Sequence, residues 1–597
     1  MHESNQRFLK NRLFQYMLPG LLMAVTMQLW KVVDTVLTGM LDGTVAMSAI
    51  TLSLPIETLI QLPGFCLGVG GSLVAGRMLA ARNNKGASQV MTFTMIVTLV
   101  IGLMFSVAAF FVAEPIAELL ANKAIGYQFN IELCEDAAAF IFINMLGAPV
   151  VGVGILITSY IGLEKGERIS TAYIISANLM NFLVDVALLK LTHLGVRGAA
   201  IATIFGFLFS MAAFIPHYYS PDLKLKPARP DKSLPYDLIM KHSKPSVFAM
   251  LSAFCAELGV GLAIVYLIAG WGIPVFTVCR NILLIMEILI AGFVSIAPLL
   301  VSVMRKEFDY IGARTASRDT LIITTILAFV MVAVSFVIAD NLVSLYAIDA
   351  AMLSYMEKYM KPVIRMFAVC LPLYAWNRFF ASYYESFGKK KYSRFISIMT
   401  GGIIMIPCLL IIVQLRRLTV SNGIYSLALA YVMSEAVANF GIHLYRKTHF
   451  RRRGIFMLPH KNPGACMDIS IKAELENTPD IPVKIIEFCK EHGVKKRICN
   501  FAAVAAEEMV VNSIKFGGKA SQWVDICVVL AGSKLILRIR DKGIPFNPTE
   551  YEYDNQDNSY DITGIQLVKL VSSHISYMRV VNMNNTVIEF DDVREIK

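Results

Sequence analysis

The sequence predicts an α-helical polytopic membrane protein, with twelve transmembrane helices in two six-helix lobes, followed by a C-terminal α/β two-layer sandwich. Three observations carry this. The 597 residues are 56% hydrophobic and only 17% charged, against about 25% charged in soluble domains. Apolar runs of bilayer-spanning length follow one another over residues 11–445, whereas from about residue 467 charge is ordinary and the runs are short. Lys and Arg collect in alternate loops, as the topology of a multi-span protein requires.

A span needs about 20 predominantly apolar residues. Twelve such runs are centred near residues 26, 62, 100, 148, 180, 205, 257, 288, 328, 370, 402 and 432. Basic residues fall in the N-terminal tail (Arg7, Lys10, Arg12) and after the second run (Arg77, Arg82, Lys85). They recur after the fourth run (Lys165, Arg168), in the long connection after the sixth (Lys224 to Lys244) and after the eighth (Arg305, Lys306, Arg314, Arg318). Further clusters follow the tenth run (Lys389 to Lys391, Arg394) and the twelfth (Arg446, Lys447, Arg451 to Arg453). The other loops hold about 7 basic residues against about 27 here, which predicts that the rich side and both termini are cytoplasmic, in a plasma-membrane protein. The net charge of +11 is largely these loops, so it calls for no nucleic-acid partner. The N-terminus shows no cleavable signal pattern. Ten cysteines form no CxxC pair, and Cys466, Cys489, Cys499 and Cys527 in the soluble part suit a reducing compartment.

The basic connection divides the membrane region into halves that echo each other at an offset of about 228 residues, as parallel repeats around a pseudo-twofold axis along the membrane normal do. Arg77 matches Arg305, Gly195-Val196 matches Gly423-Ile424, and Glu57 and Glu287 sit at similar depth. The predicted domains are a first lobe (1–216), a cytoplasmic linker (217–244), a second lobe (245–446), a second linker (447–465) and a soluble domain (466–597).

Ionisable groups at bilayer depth cost at least about 2.5–3.5 kcal/mol each, so they line a pathway or find partners. Asp34 lies in the first run. In the fifth, Asn181 and Asp185 are four residues apart and share a helix face. Thr203 lies in the sixth. These side chains make an oxygen-only set of the hardness that a sodium ion or proton site needs. The plainer readings are that Asp34 neutralises Lys31, that Asn181 bridges helices and that Thr203 bonds back to its own helix. Glu57, Glu257 and Glu287 either face a central cavity for cationic substrates or pair with Arg280 or Arg365. The thirty methionines could line an adaptable cavity, although most should be packing residues.

Val33-Asp34-Thr35 with Gly39, Leu54-Pro55-Ile56 and the Gly68-Val69-Gly70-Gly71 run resemble the opening of multidrug-and-toxin-extrusion (MATE) transporters. Asn181 and Asp185, followed by Gly195 to Thr203, are similar to the first lobe of their DinF-like branch. The resemblance covers about residues 10–445 and implies that Asp34, Asn181, Asp185 and Thr203 bind a coupling sodium ion or proton. It also implies export of small organic, cationic and amphipathic substrates.

In the soluble domain, residues 468–471 read as a strand, residues 480–516 as two helices, and residues 523–529 and 534–540 as a hairpin turning at Gly532. A helix near 563–574 and strands near 575–590 complete a mixed, largely antiparallel sheet. Glu508 to Asn512, Asp541-Lys542-Gly543 and Thr563-Gly564 resemble the N-box and the two glycine boxes of histidine-kinase-like ATPases, closest to anti-sigma-factor serine kinases. That resemblance implies ATP and magnesium as ligands. Glu508 would act on water or hydroxyl, Asn512 would bind magnesium, and Asp541, Gly543, Gly564 and Thr586 would contact nucleotide. The pattern departs from the family in four places. Ile562 replaces the first Gly of the second box, Phe516 replaces a polar position common after the N-box, residues 549–561 are acidic, and Asn584-Asn585-Thr586 replaces the closing Gly-Thr.

The functions these features fit are a secondary transporter with a regulatory or partner-docking cytoplasmic domain, a membrane sensor or serine kinase, and a lipid or cell-wall-precursor flippase. No phosphoacceptor His-Glu or His-Asp motif precedes the N-box. No Gly-x4-Gly-Lys-Ser/Thr loop is present, which disfavours a primary pump.

Overall fold

Among the described residues, long helices run from residue 32 to residue 449 and an antiparallel sheet with helices follows, in a computed structural model. It describes residues 32–80, 83–122, 128–165, 167–192, 194–213, 224–231, 234–267, 272–294, 310–346, 350–386, 389–400, 404–416, 420–450, 464–518, 523–550, 562–580 and 583–591, with isolated positions between them. Two compact units emerge. One comprises Pro19–Val294 and Ile323–His449, and the other has Phe450–Lys597 as its bulk.

The first half of the membrane unit runs α1 (Val32–Leu41), α2 (Thr44–Ala80), α3 (Asn84–Ala121), α4 (Gln128–Leu146), α5 (Ala148–Lys165), α6 (Glu167–Leu191) and α7 (Val196–Ala213). The second half runs α8 (Tyr236–Leu267), α9 (Gly272–Val294), α10 (Tyr310–Tyr346), α11 (Ala350–Ala368), α12 (Leu371–Ser386), α13 (Lys390–Ile398), α14 (Met405–Arg416) and α15 (Val420–His449). Helix α3 shows the solvent these helices are built for. It buries Gly102, Ser106, Ala109, Ala113 and Ala117 in one stripe and turns Met104, Val107, Phe110 and Phe111 outward, at 63–75% exposure. Small residues inside and large apolar ones outside suit helices that pack closely in lipid, where apolar burial between helices gives no driving force.

Seven described helices are long and apolar enough to cross a membrane, and eight if a bent pair counts as one span. The expected twelve are therefore not all present as unbroken spans among the described residues. The run centred near 26 keeps only α1, the run near 205 is the short α7, and the run near 402 keeps α14. The runs near 148 and 370 are each divided. Helices α4 and α5 meet at Gly147 with a bend of 58°, and α11 and α12 are separated at Val369 and Cys370. The cause is the same in both halves. Pro149 and Pro372 each stand in the first turn of the following helix, where a missing N–H is harmless and a continuous helix is not. Helix starts recur between the halves (Asn84 and Tyr310, Gln128 and Ala350, Ala148 and Leu371, Val196 and Val420) at about 224 residues, close to the offset read from the sequence. Arg305, Lys31 and the basic residues of the N-terminal tail lie outside the described residues.

In the second unit, β1 (Cys466–Lys472), β2 (Trp523–Ala531), β3 (Lys534–Asp541), β4 (His574–Val580) and β5 (Met583–Phe590) form one sheet in the order β1-β2-β3-β5-β4. Every pairing is antiparallel, which corrects the expectation of a mixed sheet. Short turns join β2 to β3 and β4 to β5 as hairpins, whereas two helices intervene between β1 and β2, and β3 pairs with β5 rather than with β4. Helices α16 (Asp480–Glu491), α17 (Lys496–Phe516) and α18 (Ile562–Val571) accompany the sheet. Alternate residues Val524, Ile526, Val528 and Leu530 of β2, with Leu535, Leu537 and Ile539 of β3, join Ile481, Ile485, Ala502, Ala506 and Met509 in one core. The period of two in the strands and the stripe on α17 give the two-layer arrangement.

Candidate functional site

The four predicted oxygen-bearing side chains come together in the first half of the membrane unit. Helices α6 and α7 pack along each other because Gly206 leaves no room for a side chain: a Cβ there would lie 2.6 Å from the Ala177 carbonyl and 3.0 Å from Asn181 Cβ. That approach sets Asn181 against Thr203, one turn before Gly206. Asn181 Nδ2 donates to Thr203 Oγ1 at 3.2 Å, and the Thr203 hydroxyl lies 3.2 Å from the Ala199 carbonyl and 3.5 Å from Asp34 Oδ2. The back-bond to Ala199 was the plainer reading of Thr203, and it coexists with the contact to Asp34.

Asp34 interacts electrostatically with Asp185 and Glu57. Asp34, Asn181, Thr203 and Asp185 are 5%, 5%, 6% and 0% exposed. Both carboxylate oxygens of Asp185 and Oδ1 of Asp34 are buried without a hydrogen-bond partner. Unpaired buried acceptors are rare because each forfeits its hydration. Three on two neighbouring carboxylates mark this spot as chemically unfinished. Among the described residues no group of three or more His, Cys, Asp or Glu could hold a metal ion; the donors gathered here are carboxylate, amide and hydroxyl oxygens, which are hard ligands.

A cavity of about 250 Å³ lies between the halves of the same unit. Thr35, next to Asp34, and Leu52 and Leu54 of α2 reach it from the first half, whereas most of its wall comes from α8, α9, α12 and α15. Of the three predicted cavity carboxylates, Glu257 and Glu287 line it. Glu57 does not. It accepts from Gln61 Nε2 at 3.1 Å on its own helix and belongs to the surroundings of Asp34. Glu287 is paired with Arg280 at 3.1 Å, while Glu257 accepts from Thr58 Oγ1 of α2 at 2.8 Å.

Two further charged residues, Glu435 and Arg378, escaped the sequence reading. Glu435 Oε2 accepts from Asn377 Nδ2 at 2.7 Å, and the Arg378 guanidinium lies 5.1 Å from the Tyr374 ring centroid. Isolated charges deep in α12 and α15 were the available signal, by the same criterion that singled out Asp34.

In the second unit the candidate nucleotide residues also converge. Asp541 ends β3, opposite Asn584 of β5. Its Oδ1 accepts from Gly543 N at 2.7 Å and Asn584 Nδ2 at 2.8 Å, and its Oδ2 from Ser513 Oγ of α17 at 3.0 Å. A carboxylate has about four acceptor positions, so one on Oδ2 remains for an amino group. A Cβ on Gly543 would lie 2.5 Å from Gly517 Cα, so only Gly fits.

Asn512 is buried and its Nδ2 has no hydrogen-bond partner. Gly564 packs directly on the Glu508 carboxylate, which sets a negative charge beside the start of α18, where phosphate is expected. Thr586 is buried in β5, and the Thr563 side chain and residues 551–561 lie outside the described residues. The base-binding half of a nucleotide site therefore fits these residues better than the phosphate half. In the helical layer, burial pushes the Cys489 thiol up to about 12.

Residues 19–187 match the MatE family model. The multidrug export protein MepA of Staphylococcus haemolyticus is 23% identical over 452 residues, 73% of this chain and 93% of that protein. MepA of Staphylococcus saprophyticus is 21% identical over 447 residues, with the same coverage of each. Among solved structures, an inward-facing multidrug resistance MATE family transporter of the MOP superfamily aligns with a TM-score of 0.63 at 17% identity, covering 73% of this chain and 99% of that one. An outward-facing structure of such a transporter gives a TM-score of 0.56 at 18% identity, covering 74% and 96%. The membrane unit has the MATE fold.

Proposed function

We propose that this chain, a multi-pass membrane transporter of MATE fold, exports small organic molecules with a cationic centre in exchange for sodium ions or protons. The observation that carries the reading is the set of unpartnered carboxylate oxygens on Asp34 and Asp185 beside Asn181 and Thr203. Two neighbouring carboxylates in a low-dielectric interior are tolerated only when a proton or cation is shared with them. Thr35 lines the cavity one residue from Asp34, so the helix that senses the ion also touches the cargo space. A change of charge at Asp34 then shifts α1 and with it the cavity wall, which is the differential interaction that coupling requires.

The same reading places the chain in the DinF-like branch, with twelve membrane segments in two six-helix lobes (1–216 and 245–446) and both termini in the cytoplasm of a plasma-membrane protein. The two Pro-broken helix pairs at matching positions support the repeat. Residues 466–597 form a regulatory or partner-binding domain of histidine-kinase-like ATPase descent. In it Asp541 and Gly543 hold the base of ATP, Asn512 holds magnesium and Glu508 orients water. When bound, the nucleotide supplies a phosphoryl group.

Purified protein in liposomes should expel a fluorescent organic cation when a sodium or pH gradient is imposed. Efflux indifferent to both gradients would remove the exchange mechanism.

A further inference from the structure

Asp34 is not alone on its helix face. Asp34, Thr38 and Asp42 recur every four residues, so they follow one another along one side of α1 by about 6 Å a step. Asp42 directly follows the helix, and its N–H still bonds the Thr38 carbonyl at 2.8 Å, which keeps that spacing helical. Both ends of the stripe touch α7. Asp34 Oδ2 lies 3.5 Å from Thr203 Oγ1, and Asp42 Oδ2 accepts from Val196 N at 3.1 Å. A Cβ on Gly195, at φ 54°, would run into the Asp42 carboxylate, so the closure at this end is tight.

Thr38 lies between these two contacts. It is 0% exposed and its Oγ1 has no hydrogen-bond partner. The turn of α7 between Val196 and Thr203 holds Ala199 and Ala200, whose side chains give a hydroxyl nothing to bond. A helical threonine ordinarily returns its hydroxyl to the carbonyl four residues back, as Thr203 does with Ala199. Thr38 does not, and a buried polar atom left open in this way calls for a reason.

The surroundings supply one. Asp136 of α4 interacts electrostatically with Asp42, Glu132, Glu135 and Arg197. Four carboxylates against one guanidinium concentrate cations where the stripe ends. The cargo cavity touches α1 at Thr35, about 100° round the helix from Asp34, so the stripe is a second approach to the same carboxylate.

We propose that the coupling cation passes between the outer face and Asp34 along this stripe, with Asp42 as the entry carboxylate and Thr38 as the relay, apart from the path of the cargo. A hydroxyl both donates and accepts. With one water on either side of it, two hydrogen bonds span each step of about 6 Å. Thr38 then takes a proton from the outer water and gives its own to the inner one, or it replaces one water around a sodium ion. The route opens when Asp42 releases Val196 N. This inference rests on the exporter reading above, including its outward placement of Asp42, and adds the ion's route.

The test uses the full chain in liposomes loaded with a fluorescent organic cation. Initial uptake of radioactive sodium, and of protons read with an entrapped pH dye, is measured at limiting outer ion concentration. Thr38→Val should lower kcat/KM for the coupled ion by about tenfold, as loss of one hydrogen bond in a barrier does. Equilibrium binding of the same ion by the detergent-solubilised variant should stay within twofold of the parent protein. Thr38→Ser keeps the hydroxyl and should restore the rate. Asp42→Asn keeps an acceptor for Val196 N but removes the charge, so it should lower the same kcat/KM and flatten its dependence on ionic strength. It carries the test if Thr38→Val fails to fold. Uptake within twofold of the parent protein in either variant overturns the route and leaves the exporter reading standing. So does a Thr38→Val affinity that falls in step with uptake. Absence of cargo-driven ion uptake by the parent protein overturns both.

Discussion

Thr203→Val probes the ion set without altering its charge. The hydroxyl accepts from Asn181 Nδ2 at 3.2 Å and lies 3.5 Å from Asp34 Oδ2. Valine keeps the branched shape, so the helix contact at Gly206 should survive. The loss is one ligand oxygen and the partner of a buried amide. Leaving a buried donor unsatisfied costs about 1–3 kcal/mol, which at 1.4 kcal/mol per decade weakens ion binding by about 5- to 150-fold. Both Asp carboxylates remain, so exchange persists at saturating ion. The assay is cargo efflux from liposomes over a range of imposed sodium or proton concentrations. The half-saturating concentration should rise by that factor while the plateau holds. A half-saturating value within twofold of the parent protein would refute the role given to Thr203.

Three further outcomes follow from the packing and the soluble unit. Gly64 of α2 faces the Gly152 carbonyl of α5 so closely that a Cβ would run into it. Gly64→Ala should therefore destabilise the membrane unit by about 1–3 kcal/mol, seen as a lower melting temperature in detergent. Gly543→Val should abolish saturable binding of a fluorescent ATP analogue to the full chain, since Gly517 occupies the space. Absence of saturation in the parent protein at millimolar ATP would instead make the domain a scaffold. Burial pushes the Cys489 thiol up to about 12 in the fold, from a usual 9.0. Its thiol thus stays neutral in the fold while the unfolded chain ionises, so the soluble unit should lose stability as pH rises from 9.0 toward 12. Alkylation of Cys489 across a urea series should show a lower midpoint at pH 10 than at pH 8, and Cys489→Ala should lessen the shift of unfolding.

The membrane fold was legible because lipid writes an unmistakable composition: long apolar runs, basic alternate loops, and isolated polar residues such as Asp34 and Asp185. The broken helices at Gly147 and Cys370 were hidden because hydropathy averages across a bend, although Pro149 and Pro372 each stand within two residues of it. The convergence of Asn181 with Thr203 was readable from their patterns, but the reason lies in Gly206, whose missing side chain has no hydropathy signature. Glu57 illustrates the opposite limit. Its depth matched that of Glu287, yet depth along the membrane says nothing about which way a helix face turns, and Glu57 bonds Gln61 on its own helix instead of lining the cavity. In the soluble unit, alternation located the strands. The pairing of β3 with β5 rather than with β4 is a long-range choice that alternation along a strand does not encode.

The most direct measurement counts ions taken up per cargo molecule expelled, in vesicles bearing either the parent protein or Asp34→Asn. Buried carboxylates that trade a cation for cargo predict a fixed uptake with the parent protein and none above background with the variant, with cargo still binding the detergent-solubilised protein. An unchanged ion-to-cargo ratio in Asp34→Asn would contradict the account.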